Sequence, residues 1–409
     1  MSDTLDRSLA LAEFVAGLTY EQVPAGAVDR LKQCLLDFVG LAAFAAARAE
    51  SSEPFRRAIL TLAPRPGPGT VVGEARGYPW EYAALLNGAF AHTLDFDDTN
   101  LFGALHPGAP VIPAALAAAE QTAASGRALL ESLAAGYEVA CRVGGALGQT
   151  AYDRGFHITP LAGIFGAVAA GAKLFGLGAA EIASAFGIAL SQAAGSMQYL
   201  ENGAWTKRLH PGFAAHDALV SLALARAGVV GAARAIDGRY GLLAGYSNAP
   251  RPDLLLERLG ERWVLAETAI KPYPSCRLTH GAIDAVLSLR EKAGADARAR
   301  RSTSGCRPRP SRSWARRSRT RCARGTWSRG SSASTSRPPS PGSTGASTGR
   351  AMTGWETGAS RRSPRGCVSP PTRPSRSRGR TSRCRSTAAR CTPASSSRSA
   401  SPSGRCRGP

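Results

Sequence analysis

A chain of 409 residues is longer than one hydrophobic core usually fills, and a formal charge of +22 would ordinarily point to nucleic acid or a membrane surface as partner. The charge sits in one segment: residues 301–409 hold 25 arginines, 26 serines, one acidic residue (Glu356), no lysine, and Val368 as the only branched aliphatic. Residues 1–300 keep 26 basic and 28 acidic groups, a formal −2, which excludes a basic binding protein over the part of the chain able to bury a core.

The start, Met-Ser-Asp-Thr-Leu-Asp, lacks the cationic and apolar regions of a secretion signal. Residues 5–18 and 25–47 carry apolar side chains at helical spacing, with Pro24 suited to a first turn, and are expected to form an antiparallel helix pair. Residues 70–72 suggest a short extended piece. Residues 80–92 and 111–124 again read as helices, flanking a loop rich in Gly, Pro and Asp. Residues 127–147 continue the helical pattern. Residues 160–175 and 179–194 are apolar almost all round and contain Gly163, Gly166, Gly171 and Gly187, so they belong at the centre of a bundle with tight crossings. The first of these is too short and too quickly interrupted by Lys173 to cross a bilayer. A helix over 214–227 and an extended crossover over 269–274 follow. The expected class is therefore mainly α, with an all-helical domain over 1–268 and the start of a second domain over 269–297.

Residues 298–409 read differently. Arg, Ser, Pro, Gly, Cys and Thr without lysine or aliphatics is what GC-rich DNA yields when translated out of register, and the change falls near residues 297–302. One permitted set of codons for residues 325–358, regrouped by one base, spells an amphipathic sequence of ordinary globular composition. We expect an out-of-frame, disordered tail. An Arg/Ser-rich nucleic-acid tail is the competing reading, but no recognition module accompanies it. Three cysteines in the first 300 residues (Cys34, Cys141, Cys276) and the absence of a leader suggest a soluble, reduced, cytoplasmic protein.

Four polar clusters carry possible chemistry. The first is His92-Thr-Leu-Asp95-Phe-Asp97-Asp98-Thr99, followed by His106-Pro-Gly-Ala-Pro. Three carboxylates in four residues repel one another unless each finds a partner, so the loop is costly outside a site. Helix capping and a Mg²⁺ site are the competing explanations. The second is Gly155-Phe-His157-Ile-Thr159, a polar turn before the most apolar helix. The third is Thr206-Lys207-Arg208-Leu-His210-Pro-Gly, expected as a turn before residue 214 that could dock a carboxylate. The fourth is Lys271-Pro-Tyr-Pro-Ser-Cys276-Arg277, where two prolines stiffen the path around Lys271.

Taken in this order, these motifs resemble the MmgE/PrpD family of lyases acting on small polycarboxylates, over nearly all of residues 5–297, with one extra residue between Thr99 and His106. The resemblance implies a large all-helical domain, a smaller α/β lid entered near Lys271, a homodimer, and no metal or organic cofactor. It assigns Asp95, Thr99, His106, His157, Lys207 and Lys271 as catalytic. Lys207, Arg208, His210, Lys271 and Arg277 are expected to bind a small polycarboxylate substrate, with neither nucleic acid nor membrane as partner. Histidine near neutral pH suits proton abstraction beside a carboxylate, and a desolvated lysine suits the opposite face. Dehydration of a β-hydroxy polycarboxylate such as 2-methylcitrate is the first expectation, with decarboxylation or epimerisation in the same family as alternatives. A frameshifted product without activity is a further one.

Overall fold

The structure is a computed structural model and describes residues 6–294. The expected out-of-frame tail, and with it any nucleic-acid role of residues 298–409, lies outside the described residues.

The helices follow in order as α1 (Arg7–Gly17), α2 (Ala25–Arg48), α3 (Ser52–Leu62), α4 (Trp80–His92), α5 (Gly108–Thr122), α6 (Gly126–Asp153), α7 (Ile158–Leu174), α8 (Ala179–Leu190), α9 (Thr206–Arg226), α10 (Leu242–Tyr246) and α11 (His280–Ala293). Two strands of two residues each, β1 (Thr99–Asn100) and β2 (Thr268–Ala269), pair antiparallel, Thr99 opposite Ala269 and Asn100 opposite Thr268. Asp6 caps α1 by accepting from the Leu9 N–H, and Ser125 caps α6 by accepting from that of Ala128.

The core is built around α7, buried from Ile158 to Ala172. It packs against α6, α9, α5 and α8, and α4 lies across α9 and α5. The expected pairing of the first two helices does not form: α1 rests on α8 and α7, and α2 on α4. The reason is the burial pattern of α1, whose Leu11, Ala12 and Val15 face the central helices and leave no stripe for α2. Residues 70–72 form no strand; an isolated bridge joins Gly69 to Tyr78 instead. Helix α9 begins at Thr206, earlier than the expected 214, because Pro211 sits only five residues inside and interrupts the ladder without ending it. Among the described residues no helix is long and apolar enough to cross a membrane.

Glycine allows the close crossing of α6 and α7. A Cβ added to Gly166 of α7 would lie 2.4 Å from the Gly136 carbonyl of α6, and one added to Gly136 would lie 2.8 Å from the Gly166 carbonyl. Both obstacles are backbone and cannot rotate away. Gly166→Ala is expected to lose roughly 1–3 kcal/mol through overpacking, measured as a lowered denaturant midpoint. Gly126→Ala, where an added Cβ meets nothing within 4 Å, serves as the neutral control.

Candidate active site

The site forms where the C-terminal end of α4, the loop after it, the entrance to α7 and the first turn of α9 converge. Its last wall arrives from far along the sequence. The β1–β2 ladder ties the loop after α4 to residues 268–269, and Lys271 follows two residues later. The Asn100 side chain reinforces the join by donating to the Val264 carbonyl (2.8 Å) and to Thr268 Oγ1 (3.1 Å).

Lys271 is fully covered by protein, and its Nζ donates to the Asp95 carbonyl at 2.9 Å and to Asp95 Oδ1 at 3.1 Å. Lys207, on the first turn of α9, reaches the same Oδ1 at 2.9 Å. One carboxylate oxygen thus bridges two ammonium groups. Burial would raise the Asp95 pKa, but the two lysines outweigh it and hold the group below the usual carboxylate range. Asp95 adopts φ 53°, a left-handed backbone that a non-glycine residue rarely takes, and this conformation goes with its double engagement.

Four histidines stand in a row behind the lysines. The His106 and His92 ring centroids are 5.4 Å apart, those of His92 and His157 5.6 Å, and those of His157 and His210 5.4 Å. His106 Nδ1 lies 2.7 Å from the Asp98 carbonyl oxygen, which can only accept, so Nδ1 carries a proton and Nε2 is left as the basic nitrogen. Burial lowers the His106 pKa to about 4 despite the opposing pull of Asp97, which makes the ring neutral at pH 7. Burial also depresses His157 and His210, the latter to about 4. His157 and His210 share one hydrogen bond between their Nδ1 atoms at 3.1 Å. The Thr159 hydroxyl accepts from the His106 backbone N–H and so ties the loop to α7.

The three aspartates of the loop have separate partners. Asp95 takes the lysines. Asp97 accepts from His92 Nδ1 at 2.7 Å. Asp98 turns inward, accepting from Tyr137 Oη at 2.7 Å and from the Gly108 N–H at 3.0 Å, with the Cys34 thiol donating to it as well. Burial lifts Asp98 to about 7, and the charge of Asp97 adds to the rise. Among the described residues no three His, Cys, Asp or Glu side chains converge as a metal-ligand set.

The state of Asp98 has a measurable consequence. Its folded pKa lies above that of an unfolded aspartate, near 3.9. Between those values the native state binds the extra proton, so this group's contribution to stability is full at low pH and is lost as pH rises toward 7. His106 and His210, depressed to about 4, act in the opposite sense over roughly pH 4 to 6.5. Asp98→Asn is therefore expected to remove a falling component: relative to the unmodified chain, its melting temperature improves steadily from pH 5 to pH 8. A constant offset between the two curves would show that Asp98 does not titrate in this range.

Six residues singled out from sequence, Asp95, His106, His157, Lys207, His210 and Lys271, thus fall into one connected cluster. Thr99 is buried in β1 and anchors the ladder. Arg208 does not join them. One step along a helix turns a side chain by about 100°, and its guanidinium lies over the Trp205 ring and 3.3 Å from Glu50. Arg277 is half-buried in a short 3₁₀ turn, Arg277–Thr279, beyond Lys271. The sequence reading gave no role to Asp37 on α2, whose carboxyl burial raises to about 6 within the field of Asp97 and Lys271, nor to Tyr137 and Cys34 beneath Asp98. The spacing of Cys34 and Asp37 at i, i+3 on one helix face was the available signal. A cavity of about 540 Å³ opens beside His210 and Tyr199, walled by Gln192, Gln198 and Asn202.

Comparison with known proteins fits this geometry. Residues 9–255 match the model of the MmgE/PrpD N-terminal domain. The chain is 33% identical over 294 residues to a cis-aconitate decarboxylase-like protein of Aspergillus oryzae, covering 68% of this chain and 60% of that protein. It is 28% identical over 292 residues to a cis-aconitate decarboxylase of Aspergillus terreus, covering 68% and 59%. The human cis-aconitate decarboxylase is 32% identical over 220 residues, covering 52% and 45%. The chain spans at most about three-fifths of the length of these relatives.

Proposed function

We propose that this chain, which belongs to the MmgE/PrpD family, carries the anion-gripping and proton-moving part of a lyase site whose substrate is an unsaturated tricarboxylate of the cis-aconitate type. The observation that carries the reading is the pair of ammonium groups, Lys207 and Lys271, meeting on one carboxylate oxygen beside a neutral imidazole. A substrate carboxylate can take the place of the Asp95 oxygen between the two cations. A second carboxylate departs as CO₂, and the bonding pair it leaves behind stays on the carbon skeleton. One proton must then reach carbon. Lys271 is the donor in this scheme, since the bond from His106 Nδ1 to the Asp98 carbonyl leaves His106 Nε2 without a proton to give.

The relatives named as decarboxylases move this reaction ahead of the dehydration expected first from sequence. Dehydration keeps one specific support: a neutral His106 with Nε2 free is arranged to take a proton from carbon, as elimination of water requires.

Product analysis separates the two. The 409-residue chain, and a version restored to the alternative frame after codon 297, are incubated with cis-aconitate, citrate and 2-methylcitrate while CO₂ is trapped and products are followed by NMR. The expected result is one CO₂ per cis-aconitate consumed. Loss of water from 2-methylcitrate without CO₂ would replace decarboxylation by dehydration. No turnover and no binding of any acid by either protein would remove the proposal.

A further inference from the structure

His92 and Asp97 have no part in the reaction as described, yet they occupy the centre of the histidine row. The His92 side chain is completely buried in the last turn of α4, and Asp97 is 3% exposed. The hydrogen bond between them, 2.7 Å long, satisfies one atom of each. His92 Nε2 and Asp97 Oδ1 remain buried without a hydrogen-bond partner. Burying an imidazole and a carboxylate with an atom left over on each is a poor way to gain stability, because the desolvation cost is only partly recovered. An apolar side chain would fill the same volume better.

What the pair does achieve is geometric. The His92 ring stands between two others, tilted 57° to His106 and nearly parallel to His157 at 28°. The charged and titratable groups of the site come from every wall: Lys207 and His210 from α9, Lys271 beyond β2, Asp95 and Asp98 from the loop, and Asp37 from α2. Asp97 touches the edge of that field, 4.0 Å from Lys271 Nζ and 4.0 Å from His106 Nδ1.

We propose that His92 and Asp97 are a positioning pair: Asp97 accepts the His92 Nδ1 proton and so fixes the His92 ring as a spacer that sets the positions of the His106 and His157 rings on either side of it. The proposal rests on the reading above only in assigning what is positioned; the arrangement itself is testable without turnover. It also explains why the loop carries a second aspartate when Asp95 already bridges the two lysines.

The chain has six histidines, His92, His106, His157, His210, His216 and His280, so each imidazole signal can be assigned by substitution. The full 409-residue chain is labelled with ¹⁵N and ¹³C in histidine. In the unmodified protein the nitrogen shifts are expected to show the Nδ1–H form at His92 and at His106. Asp97→Asn keeps the shape of the side chain but removes its charge, and His92→Phe keeps a flat ring without Nδ1. In both, the His106 and His157 signals are expected to move and broaden while His216 and His280, which stand apart from the row, stay in place and report an intact fold. An Nε2–H form at His92 in the unmodified chain, which needs no variant to fold, overturns the proposal. Unchanged His106 and His157 signals in a folded Asp97→Asn protein overturn it equally. Shifted signals in a chain that turns over none of the acids would uphold the pair and remove only the reaction assigned to the site.

Discussion

Lys271→Ala is expected to lower kcat by roughly 10²–10⁴-fold, the range over which a positioned acid or base contributes, while Lys207→Ala acts mainly on KM. The difference follows from their surroundings. Lys271 has its side chain wholly buried, is hydrogen-bonded to both the backbone and the side chain of Asp95, and stands at the edge of the histidine row. Lys207 is about one-quarter exposed and shares only the Asp95 oxygen. Removing the exposed cation weakens the hold on a carboxylate in ground state and transition state alike, which raises KM with little change in kcat. Removing the buried one takes away the group proposed to deliver the proton. The measurement is steady-state CO₂ release from cis-aconitate by whichever form of the protein turns over. Equal effects of the two substitutions on kcat would deny Lys271 its separate role.

The largest stability effect is expected outside the lysine–histidine cluster. Arg142 and Glu138, one turn apart on α6, are both fully buried and joined at 2.8 Å. The Arg142 guanidinium also donates to the carbonyls of Glu257 and Arg262, each at 2.8 Å, and Glu138 accepts from the backbone N–H groups of Val264 and Leu265. The pair therefore pins the irregular segment that leads into β2 and Lys271. Arg142→Ala is expected to lose about 3–5 kcal/mol, as when one partner of a buried ion pair is removed. Replacing both members by Met and Leu often restores such a pair, yet here it should not. The carbonyls and N–H groups of residues 257–265 would lose their partners and remain buried. Urea unfolding of the single and double variants decides this, and full recovery in the double variant would show that the ion pair, without its backbone bonds, accounts for the loss.

Local features of this fold were legible wherever a helix carries an uninterrupted pattern. Residues 80–92 were bounded as found, because Pro79 precedes the helix and the polar loop follows it. The helix over 127–147 was read to end one residue before Gly148, where φ is 65° and the helix kinks; it then resumes to Asp153. The start of α9 was missed because Pro211 and Gly212 look like a turn. Gly212 is instead a packing residue: an added Cβ would lie 2.3 Å from the Leu85 carbonyl of α4, and this crossing brings Lys207 toward the end of that helix. The cluster of Asp95, His106, His157, Lys207 and Lys271 could be listed from sequence as motifs in order. Their convergence rests on the Thr99–Ala269 ladder, and a pairing between such distant positions leaves no periodic trace in a single chain.

The two-residue ladder between β1 and β2 also dictates timing. Contacts between positions so far apart in sequence form late, since a large loop must close before they repay the entropy spent. A nascent chain emerging only as far as α10 holds the central helices and Lys207, with its acidic loop still lacking the second of the two lysines that meet on Asp95. Closure of the lysine–histidine cluster thus completes the packing of the helical body rather than seeding it.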